Sequence, residues 1–63
     1  MNFLEIYDIK GKKWLICLNY ITRIEFDLKK NIIGIYFPDD NIYINESEFS
    51  KIKSFLNINF IGD

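Results

Sequence analysis

The sequence predicts a small single-domain α+β fold: a twisted antiparallel β-meander of about five strands with one C-terminal helix packed on one face. Three observations carry this expectation. Breakers recur at short intervals, at Lys10-Gly11, Asn19-Tyr20, Leu28-Lys29-Lys30-Asn31 and Pro38-Asp39-Asp40-Asn41, and separate β-prone runs. The run Arg23-Ile24-Glu25-Phe26-Asp27 alternates strictly, the period of a strand with one apolar face. After Asn45 the period changes, and Phe49, Ile52, Phe55 and Leu56 recur at three- and four-residue spacing, as on one side of a helix.

Taken in order, the runs place strands at about 2–9, 13–18, 21–28, 32–37 and 41–44. Lys10-Gly11 reads as a tight hairpin turn and Asn19-Tyr20 as a weaker one. Pro38-Asp39-Asp40-Asn41 has the composition of a type I turn. A helix over about 46–57 follows, opened by Asn45 and Glu48 in the spacing of a capping box. The tail 58–63 mixes apolar residues with Asn59 and Gly62 and receives no assignment.

Register then sorts the side chains. A two-residue Lys29-Lys30 loop pairs Phe26 with Ile33, Ile24 with Ile35 and Thr22 with Phe37. A two-residue Asp39-Asp40 loop sets Phe37 opposite Ile42 and Ile35 opposite Ile44. The same counting adds Leu4, Ile6, Leu15 and Cys17 to this aliphatic face, which matches the helix stripe and is the expected core. The opposite face collects Phe3, Tyr7, Trp14, Ile16, Leu18, Ile21, Tyr36 and Tyr43, relieved by Glu5, Arg23, Glu25 and Asp27. A one-residue slip at Asn19-Tyr20 exchanges the faces of the first two strands.

Composition narrows the function. The chain has 63 residues, near the lower limit for folding without disulfides or metal, yet 49% are hydrophobic and 17% aromatic. That is more apolar surface than so small a core absorbs, and association is the natural remedy. Cys17 is the single cysteine and histidine is absent, so neither an intramolecular disulfide nor a Cys/His zinc cluster is expected. A net charge of −1 does not favour nucleic acid or an anionic membrane. No apolar run approaches a membrane span and no secretory pattern opens the sequence, so a cytoplasmic location is expected.

Catalytic readings are weak. Cys17 has no imidazole to activate it and reads as a small apolar residue. Asp39 and Asp40 read as solvated turn residues, and Glu46 and Glu48 suit the positive end of a helix. Gly11 and Gly34 belong to no phosphate-binding motif. Neither enzymatic activity nor a cofactor is expected.

Two constellations remain. Arg23, Tyr36 and Tyr43 lie side by side across three strands, where a guanidinium among phenol rings is a common interface hot spot. With Tyr7, Trp14 and Ile16 they form the candidate interaction face, and the expected partner is another protein or a second copy of the chain, as a homodimer or higher homo-oligomer. The second constellation is Lys10, Lys12, Lys13, Lys29 and Lys30, which a meander gathers at one end. Beside Trp14 and Tyr7 they fit a nucleic-acid footprint, an acidic partner, or the solubilising lysines of hairpin tips.

The order of features from Tyr7 to Leu56 resembles the small flagella-associated FlbD/SwrD proteins. The resemblance rests on Gly11-Lys12 leading into an apolar strand, on Asn19, and on Ile21, Ile24 and Glu25 as an Ile-x-x-Ile-Glu element. It continues through Ile42-Tyr43-Ile44 and Glu46-Ser47 at the helix start, with Pro38-Asp39-Asp40 in place of a glycine-containing turn. It implies a small β-sheet with a C-terminal helix and a non-enzymatic accessory role, and supplies no catalytic residue. The leading expectation is therefore a protein-interaction module or accessory factor. The alternatives are a nucleic-acid-binding β-domain using the lysine end, and a phage- or mobile-element-encoded inhibitor that occupies a surface of a host or defence complex.

Overall fold

The computed structural model describes residues 2–56, so the expected helical residue Asn57 and the tail 58–63 lie outside the described residues. Five strands precede one helix: β1 (Phe3–Tyr7), β2 (Lys13–Cys17), β3 (Arg23–Asp27), β4 (Ile32–Phe37), β5 (Asp40–Asn45) and α1 (Glu46–Leu56). All strand pairs are antiparallel. They form two sheets rather than one continuous meander, β1-β2 and β3-β4-β5. The break falls where Leu18–Tyr20 coils into a 3₁₀ turn with Leu18 buried, which separates β2 from β3. The Ile9 amide donates to the Tyr43 carbonyl at 2.9 Å and ties the tip of the first hairpin to β5.

The core lies between the sheets and the helix. Ile6, Ile16 and Leu18 come from the first hairpin and its exit, Ile33, Ile35, Ile42 and Ile44 from the second sheet, and Phe49 and Ile52 from α1. Isoleucine dominates because a β-branched side chain is stiff and suits a pleated, buried surface. Each such side chain removed from water contributes on the order of 1.5–3 kcal/mol, before conformational entropy is charged against it.

The three hairpins compare differently with expectation. In β3–β4 the pairs are those anticipated, Phe26 with Ile33 and Ile24 with Ile35. In β4–β5 the central loop residues are Pro38 and Asp39, so Ile35 faces Ile42 and Ile33 faces Ile44, a shift of two residues that keeps every side chain on its expected face. In β1–β2 Ile6 faces Trp14 and Leu4 faces Ile16. That is one residue away from a Lys10-Gly11 two-residue loop, and it turns β2 over.

Trp14 and Ile16 therefore leave the outer aromatic face: Ile16 is buried in the core and Trp14 packs half-buried against it. Leu18 and Ile21 join them on the inside. Leu15, expected in the core, is 66% exposed, Cys17 is half-buried on the outward face, and Thr22 is exposed.

The cause is the turn chemistry of Asp8. Its backbone carbonyl accepts from Gly11 N–H at 2.9 Å, closing a type I turn over Ile9 and Lys10, and Gly11 takes φ +84°. This is a three-residue loop ending in a left-handed residue, whereas the two-residue alternative demands a positive φ at Lys10 as well. Asp8 Oδ1 accepts from the amides of Lys10 and Lys12, and Oδ2 from Trp14 Nε1 at 2.8 Å.

The helix start departs from a reciprocal capping box. Asn45 Oδ1 accepts from Ser47 Oγ at 2.7 Å and from Glu48 N–H at 3.4 Å, a cap on the first turn. Glu48 reaches away from Asn45 and accepts from the Tyr7 amide at 2.9 Å and from Lys51 Nζ at 3.1 Å. It thereby ties α1 to β1. The Tyr7 amide is the leading reason that the Glu48 carboxyl is held below its ordinary pKa.

Candidate protein-interaction surface

Alternation along the second sheet separates its two faces. Ile24, Ile33, Ile35, Ile42 and Ile44 turn to the core, so Arg23, Glu25, Gly34, Tyr36 and Tyr43 share the outer face. Register sets Glu25, Gly34 and Tyr43 in one row and Arg23 and Tyr36 in the next. The Arg23 guanidinium lies 4.1 Å from the centroid of the Tyr36 ring, and its Nε is 3.0 Å from Glu25 Oε2. The Tyr36 hydroxyl donates to Glu25 Oε1 at 3.1 Å. Glu25 thus holds both the guanidinium and the phenol. The Tyr43 hydroxyl first, and then the Glu25 carboxylate, raise the Tyr36 pKa above its ordinary value.

Gly34 is the floor of this cluster. A Cβ there meets Tyr36 Cε1 at 3.0 Å and Tyr43 Cε1 at 3.3 Å, so the two rings close over a bare stretch of backbone. An interior strand glycine often marks such a close approach. A groove of about 700 Å³ runs beside the rings, lined by Ile9, Leu28, Gly34, Tyr36 and Tyr43, with Lys29 and Lys30 at one end.

The other expected site residues fall elsewhere. Tyr7 is 45% exposed on the outer face of β1 and belongs to the other sheet. Ile16 is buried in the core and Trp14 is half-buried against it. The lysines divide between two turns. Lys12 lies over the Trp14 ring at 5.2 Å, Lys13 pairs with Glu5 at 3.3 Å, and Lys10 is exposed at the tip of the first hairpin. Lys29 and Lys30 occupy the β3–β4 turn. Composition did not single out Ile9 or Gly34, although a glycine inside the apolar run Ile32–Phe37 is a readable signal.

Chemically the surface offers stacking on the half-buried Tyr36 and the exposed Tyr43, with an exposed delocalised cation and carboxylate. Among the described residues no group of three or more His, Cys, Asp or Glu is arranged to hold a metal ion. Among the same residues no helix is long and apolar enough to cross a membrane. Comparison of the chain with protein-family models, curated proteins and solved structures finds no match.

Proposed function

We propose that this chain is a non-enzymatic protein-interaction module of the cytoplasm that binds a protein partner through the outer face of β3-β4-β5. The supporting observation is the Arg23–Glu25–Tyr36–Tyr43 cluster over Gly34. Arg23 and the half-buried Tyr36 already contact each other and Glu25, so less side-chain entropy is lost when a partner covers them than for free side chains. Tyrosine and arginine in such settings dominate binding energy at protein interfaces. The FlbD/SwrD resemblance, with its accessory role, agrees with this reading. The nucleic-acid alternative draws less support, because Lys12 and Lys13 are engaged with Trp14 and Glu5.

A photo-crosslinking residue at position 43, introduced in the native cell, tests the proposal, with position 54 on the exposed side of α1 as control. The expected result is one dominant protein adduct from position 43, absent from 54. Arg23→Glu and Gly34→Ala should weaken it, the latter because its new methyl displaces the rings without touching the core. Adducts of nucleic acid, or equal adducts from both positions, contradict it.

A further inference from the structure

The two most exposed large apolar side chains, Leu28 and Leu15, stand in two different places. Leu28, 87% exposed, caps the β3–β4 turn and is followed by Lys29 and Lys30. Leu15 and Tyr20, 66% and 56% exposed, border a cleft of about 390 Å³ with Trp14, Phe37 and Pro38, and Asp39 and Asp40 form its rim. One place is an apolar tip with two positive charges, the other an apolar hollow with two negative ones.

The tip cannot enter its own cleft. The two turns cap opposite ends of β4, whose six residues span about 20 Å. Among the described residues the ion pairs are Lys13–Glu5, Arg23–Glu25 and Lys51–Glu48, so Lys29, Lys30, Asp39 and Asp40 enter none of them. Each end thus carries the apolar and charged complement of the other.

We infer that the chain associates head to tail: Leu28 of one copy seats in the Trp14–Leu15–Tyr20–Phe37 cleft of the next, with Lys29 and Lys30 against Asp39 and Asp40. A contact between two different patches closes as a dimer only where a two-fold axis makes it reciprocal, and otherwise repeats into rings or open chains. It uses neither Tyr36 nor Tyr43, although Leu28, Lys29 and Lys30 also line the groove beside those rings. Added salt weakens it, because the charge pairs are exposed.

Sedimentation equilibrium of three proteins from micromolar to millimolar concentration decides the matter. Wild type should gain mass with concentration. Leu28→Asp, which spoils the tip, and Asp39→Lys/Asp40→Lys, which spoils the rim, should each weaken self-association on the order of tenfold or more. All three positions are exposed, and circular dichroism verifies that the variants are folded. Mixing the two variants should restore one junction, tip of the rim variant in cleft of the tip variant, and give a 1:1 dimer that grows no further. A monomeric wild type at millimolar concentration overturns the inference. So does association that either variant retains undiminished, or that mixing fails to restore. Failure here leaves the crosslinking test at position 43 unaffected.

Discussion

The β1–β2 and β4–β5 hairpins both depart from the simplest count of loop residues, with opposite consequences. In β4–β5 the shift is two residues, because Pro38 lacks the amide that a terminal pair of the ladder requires and instead occupies the first central turn position, where its fixed φ is an advantage. An even shift returns each side chain to the same face, so Ile42 and Ile44 are buried as expected. In β1–β2 the shift is one residue, and it exchanges Leu15 for Ile16 and draws Trp14 inward. Parity, more than the size of a register error, decides what a protein shows to its surroundings.

The largest effect that sharpens this comparison comes from neighbours in β2. Ile16→Asp buries an unpaired charge at a cost of several kcal/mol against a total stability of roughly 5, and should abolish the thermal transition. Leu15→Asp should change stability by no more than about 0.5 kcal/mol. The reverse order restores the two-residue loop.

Asp8→Ala comes next, since it leaves the Lys10 and Lys12 amides and the Trp14 indole without their acceptor. Its expected signature is a lower melting temperature together with a red-shifted Trp14 fluorescence. The Trp14 hydrogen bond, with the Lys12 and Lys10 amides, lowers the Asp8 pKa below its ordinary value. The stability that the Asp8 carboxylate supplies is thus complete above the ordinary carboxylate pKa and is lost as pH falls through the lowered one. Asp8→Asn should flatten the acid limb of a melting-temperature profile, and an unchanged limb argues against this carboxylate as its source.

Gly11→Ala, in open space but at positive φ, should cost about 1–2 kcal/mol in denaturant unfolding. The smallest effect belongs to the other hairpin. Pro38→Ala should cost about 0.5–1 kcal/mol through unfolded-state entropy and leave the β5 pairings in place.

Much of this was legible in the sequence, and the misses have definite causes. The alternation of Arg23 to Asp27 and the helical spacing of Phe49 and Ile52 suffice for the second sheet and the helix, because each pattern fits only one period. The pairing of Arg23 with Tyr36 follows from β3–β4 register, whereas Tyr43, expected beside Tyr36, lies one row away beside Gly34 because the β4–β5 loop is Pro38-Asp39. In the first hairpin Lys10-Gly11 taken as a pair misleads, because the informative unit is Asp8-Ile9-Lys10-Gly11, with aspartate first and glycine fourth, a type I turn pattern. Nothing local to Asn19-Tyr20 signals that the sheet divides there. Burial of Leu18 is a tertiary event.

The odd shift in β1–β2 buries Ile16, turns Trp14 half inside and leaves the Tyr36–Tyr43 face to act without them. Asp8 N–H bonds the Lys12 carbonyl and Leu18 N–H the Asn2 carbonyl, so Glu5 and Leu15, between them, form a non-hydrogen-bonded pair with close Cα atoms. A nuclear Overhauser spectrum of the folded protein should show a strong Hα–Hα cross-peak between Glu5 and Leu15. A strong Hα–Hα cross-peak between Ile6 and Leu15 in its place, a non-hydrogen-bonded pair of the two-residue loop, would contradict this register.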